Sequence, residues 1–125
     1  TVMDSEEFSI YASPVRHMIP NIGLRIEFKG PKKVLAYSCD TEPCAQVIRL
    51  AERADVLIHE ASGGLHGHSS AAQAGEIARQ AEAGALYLIH YPTGPHATGD
   101  LVAEAGQRFQ GPVVLAEDFM TIEFD

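Results

Sequence analysis

Residues 33–60 read KVLAYSCDTEPCAQVIRLAERADVLIHE, and this stretch decides the fold. Lys33 to Ser38 (KVLAYS) is an apolar run of strand length, and Asp55 to His59 (DVLIH) is a second. Between them Thr41 suits a helix N-cap and Pro43 the first helical turn. Cys44, Val47, Ile48, Ala51 and Ala54 follow at steps of three and four, which gives that helix one apolar face. Strand, helix and strand in succession make a βαβ unit.

The pattern extends in both directions. Upstream, Phe8 to Ala12 (FSIYA) reads as a strand. Leu24 to Lys29 (LRIEFK) alternates as a half-buried strand does, and Gly30-Pro31 turns the chain into Lys33. Downstream, Ser70 with Gln73 forms a capping box, and Ala74, Ile77, Ala78 and Ala81 line one face of the helix it opens. Gly84 is a natural stop, followed by a strand over Ala85 to Ile89 (ALYLI). A helix from Asp100 to Phe109 and strands over Val113 to Ala116 and Met120 to Phe124 complete the expectation. Antiparallel strands followed by βαβα units predict one α/β domain over residues 1–125, a mixed sheet covered by helices.

In such a sheet a ligand site lies beyond the carboxyl ends of the strands. Asp40 follows KVLAYS, His59 and Glu60 end DVLIHE, and His90 follows ALYLI. A strand-end aspartate with several histidines is the donor set of a zinc-like site. The six histidines are His17, His59, His66, His68, His90 and His96. No compact H-E-x-x-H motif is present, so spacing alone leaves an ordinary hydrogen-bonded role open for each of them. His59 is expected to be buried and structural as readily as functional, while His66 and His96 read as surface-loop residues.

Composition narrows the classes. The 46% apolar and 21% charged content is that of a globular domain, not of a disordered chain. No apolar run approaches the roughly eighteen residues of a membrane helix. The opening residues, Thr1 to Glu7, lack the basic and apolar regions of a signal peptide, so a cytoplasmic protein without membrane attachment is expected. A net charge of −8 disfavours a nucleic-acid partner, whose phosphates call for basic patches. Lys29, Lys32 and Lys33 cluster at the predicted hairpin turn and read as solvated side chains. Cys39 and Cys44 read as two part-buried thiols rather than a disulfide or a zinc pair.

Taken in order, AYSCDT (36–41), DVLIHEAS (55–62), GHSSAAQAGEIA (67–78) and LYLIHY (86–91), with VRHMIPNIGLRIE (15–27) upstream, resemble the ribonuclease-Z-like branch of the metallo-β-lactamase superfamily. The resemblance runs from about Ser9 to Asp125. It implies the C-terminal half of a four-layer αββα sandwich with a dinuclear site at the edge between two halves. By this resemblance His17 binds the first metal, Asp40 bridges the two, and His90 binds the second. His68, opening His68-Ser69-Ser70, is implicated in proton transfer, with Glu60 orienting it. The implied cofactor is a pair of Zn2+ ions, with Mn2+ or Fe as alternatives, and the implied reaction is hydrolysis of a phosphodiester or another small ester.

The resemblance is incomplete in three places. The family's H-x-H-x-D-H motif is absent, so the chain is expected to be a fragment that is inactive alone. The glycine usual before the bridging aspartate is Cys39. After His90 comes Tyr91-Pro92-Thr93-Gly94 in place of a serine-rich, arginine-containing segment, which favours a general hydrolase over a dedicated tRNA endonuclease. The competing expectation is a non-catalytic half-domain or interaction module. Its open apolar sheet face would pair with a second copy, so a homodimer is expected.

Overall fold

The computed structural model describes residues 1–97 and 99–124, with the side chain of His96 outside the description. Seven strands form one sheet whose spatial order is the chain order. They are β1 (Met3–Asp4), β2 (Phe8–Pro14), β3 (Ile22–Phe28), β4 (Val34–Tyr37), β5 (Val56–Glu60), β6 (Leu86–Ile89) and β7 (Val113–Leu115). Pairing is antiparallel from β1 to β4 and parallel from β4 to β7. Each parallel crossover carries one α-helix, α1 (Ala45–Leu50), α2 (Ala71–Ala81) or α3 (Leu101–Gly106), and the last also has a 3-10 turn over Gly94–His96. Crossovers that all step the same way with the same hand put their helices on one face of the sheet. Among the described residues, no helix is long and apolar enough to cross a membrane.

The core lies between that face and the helices. Ala36, Leu57, Leu86 and Leu88 meet Val47, Ala74, Ile77, Ala78 and Phe109 there, all buried. Small residues let the helices close on each other. A Cβ on Gly75 of α2 would run into the Ala105 carbonyl of α3, so only glycine fits this crossing. Because side chains alternate along a strand, Leu35, Tyr37, Ile58 and Tyr87 point to the opposite face, where they are half-buried. Among the described residues, that face carries no α-helix.

The mixed sheet, the central βαβ unit and the Ser70–Gln73 capping box match the sequence expectation. Four local features differ. The N-cap of α1 is Cys44, without a side-chain cap, because Thr41 is committed elsewhere. The left-handed stop after α2 falls on Glu82 (φ 57°). Gly84 instead sits where a Cβ would press on the Asp55 carbonyl. Residues 120–124 form no strand: Phe119 turns the chain (φ 66°), and the Phe124 ring packs on Phe28 at 5.9 Å. Finally, β1 extends the antiparallel edge, held by Lys29, which donates to Asp4 at 2.7 Å. Lys33 lies 3.7 Å from Asp55, so two lysines of the basic turn already face carboxylates.

Candidate metal centre

The parallel strands β4, β5 and β6 end side by side, and the residues after them form the floor of the site. Asp40 follows β4, Glu60 closes β5, and His90 follows β6. The loop after β5 returns His68 just before α2, and the β2–β3 loop brings in His17. Asp40, His68 and His90 each offer one ligand atom within 4.8 Å of the others. Two imidazoles and a carboxylate are donors that suit zinc and related divalent ions.

His90 Nδ1 lies 3.0 Å from Asp40 Oδ1, and the rings of His68 and His90 meet edge-on at 5.8 Å. His17 stands outside this group of three, with its ring edge-on to His68 at 5.0 Å. His17 Nδ1 is 2.7 Å from the Gly67 carbonyl. A carbonyl only accepts, so Nδ1 donates to it and Nε2 is the ring nitrogen left for another partner. A Cβ on Gly67 would press on that ring, and its φ of 82° is left-handed, so glycine is required there on both counts.

Glu60 is the buried anchor of the site. Its Oε1 accepts from the Thr41 N–H at 3.0 Å and from His68 Nδ1 at 2.8 Å. Its Oε2 accepts from the Ser62 N–H and hydroxyl and from the Ser69 N–H. Burial pushes this carboxyl up, but the hydrogen bonds from Ser62, Thr41, Ser69 and His68 outweigh it and hold it below its ordinary value. With Nδ1–H given to Glu60, Nε2 is the ring nitrogen of His68 left for another partner.

Further ties fix the loops. The Asn21 amide donates to the Asp40 carbonyl at 3.0 Å. The Thr41 hydroxyl accepts from the Arg16 N–H at 3.0 Å, and the Ser69 hydroxyl donates to the Thr41 carbonyl at 2.7 Å. None of these was legible in sequence, although Thr41 and Ser69 each sit next to a residue that was singled out. Cys39, half-buried before Asp40, has its thiol pushed up by burial and then by Asp40, which keeps it protonated. Cys44 is buried, and both cysteines are free.

His59 is fully buried on the helix face, with Nδ1 donating to the Glu60 carbonyl at 2.8 Å. Its Nε2 has no partner among the described residues. His66 is exposed, 3.9 Å from Glu42.

Comparison with known proteins places the fold in a family. A family described as the Beta-lactamase superfamily domain matches residues 1–91. The chain belongs to that superfamily. A ribonuclease Z from Methanothermobacter thermautotrophicus is 37% identical over 116 residues, covering 86% of this chain and 37% of the relative. The crystal structure of a metallo-β-lactamase fold protein from Bacillus subtilis, YhfI, superposes with a TM-score of 0.80 at 30% identity, covering 92% of this chain and 49% of that one. The short form of human tRNase Z superposes with a TM-score of 0.72 at 29% identity, covering 98% and 45%. This superfamily chain thus spans 37% of that curated relative and about half of these solved structures.

Proposed function

We propose that this chain supplies one half of a dinuclear metal site in a phosphodiester hydrolase, with the remaining ligands coming from protein outside these residues. The observation that carries the reading is the convergence of Asp40, His68 and His90 at the carboxyl ends of the parallel strands. Its length relative to the ribonuclease Z and its open sheet face support a missing half.

In this reading Asp40, His90 and His17 would hold the metal ions, with Asp40 the carboxylate shared between them. Zn2+, with Mn2+ or Fe as alternatives, would supply Lewis acidity there, which activates water and neutralises phosphoryl charge. His68 holds and delivers a proton through Nε2 to the leaving oxygen, and Glu60 fixes its tautomer and direction. The net charge of −8 favours a small ester over a long polyanion as substrate.

The test uses the full-length protein that carries this chain. Zinc content and hydrolysis of bis(4-nitrophenyl) phosphate are measured before and after Asp40→Ala. Loss of hydrolysis by at least about 100-fold, with weakened zinc binding, is expected. Undiminished hydrolysis would overturn the assignment of Asp40.

A second reading rests on the half-buried face of Leu35, Tyr37, Ile58 and Tyr87. In it the chain is a self-associating half-domain that buries this face against a second copy. A concentration-dependent dimer of this chain, with no zinc uptake by the full-length protein, would favour it.

A further inference from the structure

We propose that Tyr91 is a positioning residue that holds His90 over the metal centre; this rests on the reading of His90 as a ligand. The β6–β7 pairing ends at Leu88 and Leu115, with one further rung from the Ala116 N–H to the Leu88 carbonyl at 2.9 Å. On the other side, the Ile89 carbonyl accepts from the Ala61 N–H at 2.8 Å. Past that point the ladder ceases to hold the chain.

His90 then turns sharply, with φ at 58°, in the left-handed region that residues with a Cβ enter at a cost. Its side chain is 54% exposed, yet its Nδ1 lies 3.0 Å from Asp40 Oδ1. A strained, exposed residue keeps one direction only if its surroundings hold it.

Tyr91 provides that hold. Its hydroxyl donates to the Ala116 carbonyl at 2.6 Å, joining the loop after β6 to the segment after β7. Its ring packs against the hydrophobic core. The hydroxyl proton is spent on Ala116, so the side chain acts through geometry rather than as an acid. Tyr91 also lines a cleft of about 500 Å3 beside His90, together with Thr93, Ala116 and Glu117. The tie therefore sets the shape of that cleft wall as well.

Tyr91→Phe keeps the ring and removes the tie. In the full-length protein titrated with Co2+, the variant is expected to bind about tenfold more weakly, the lower end of what loss of an outer-shell partner costs. Its cobalt visible absorption band is expected to shift, while circular dichroism shows a folded protein. An unchanged cobalt affinity and spectrum would overturn the proposal. Failure of Tyr91→Phe to fold would overturn it too, because the hydroxyl would then serve the stability of the chain rather than His90. A wild-type protein that takes up no cobalt would overturn the metal reading itself and this inference with it. Binding by wild type alongside an identical variant would remove only the inference.

Discussion

Nδ1 of His68 and Oε1 of Glu60 meet at 2.8 Å, which joins a part-exposed imidazole to a carboxylate buried beneath it. That carboxylate accepts four more hydrogen bonds, from Thr41, Ser62 and Ser69. Glu60→Gln puts an amide N–H against at least two donors, whichever way the amide turns. Each mismatch inside the protein costs about 1–3 kcal/mol, so destabilisation by about 3 kcal/mol is expected. Thermal unfolding should show a fall of about 10 °C. A melting temperature within experimental error of wild type would refute the anchoring role.

His68 lies among the possible ligand atoms, but its proposed task is proton transfer. His68→Ala in the full-length protein is expected to lower phosphodiester hydrolysis by about 100- to 10,000-fold while leaving metal content within about tenfold. Metal content and turnover are measured on the same sample. Loss of the metal together with activity would reassign His68 as a ligand.

Cys39 stands before Asp40 with φ at 52°, in the left-handed region. Cys39→Gly removes the Cβ that makes this conformation costly and should leave stability unchanged or raise it by up to about 1 kcal/mol. Cys39→Val adds a branched Cβ at the same place and should lower stability by about 1–2 kcal/mol. Equal denaturation midpoints for the two variants would show that this strain is absent in solution.

The acid stability of the chain follows from two buried groups. His59 has its pKa lowered from 6.5 by burial, against the opposing pull of Glu60, so the unfolded chain takes up that proton first. Its contribution is complete above pH 6.5 and is lost as the pH falls through the depressed folded value. Glu60, held below 4.5, contributes above that pH and loses its effect as the pH falls further. Melting temperature is therefore expected to decline in two stages towards acid. His59→Gln should flatten the first stage, which sets in as the pH falls below 6.5. An unaltered slope would mean that His59 does not couple folding to protons.

Sequence alone determined the strands of the parallel half, the apolar faces of the helices and the cap at Ser70, because periodicity and capping act between residues a few positions apart. It also placed Asp40, Glu60 and His90 at strand ends, since a strand end is a local feature. Only the tertiary structure decided how these groups meet. The register that sets Tyr37 beside Ile58, and Glu60 beside Ile89, brings three strand ends level. Loop closure across 25 residues then takes Thr41 from helix capping to the Arg16 backbone, and Tyr91 to Ala116. Phe119 turns the chain and Phe124 packs on Phe28, which removes the expected last strand. Such long-range contacts depend on which surfaces are brought together on folding, and no local propensity encodes that choice.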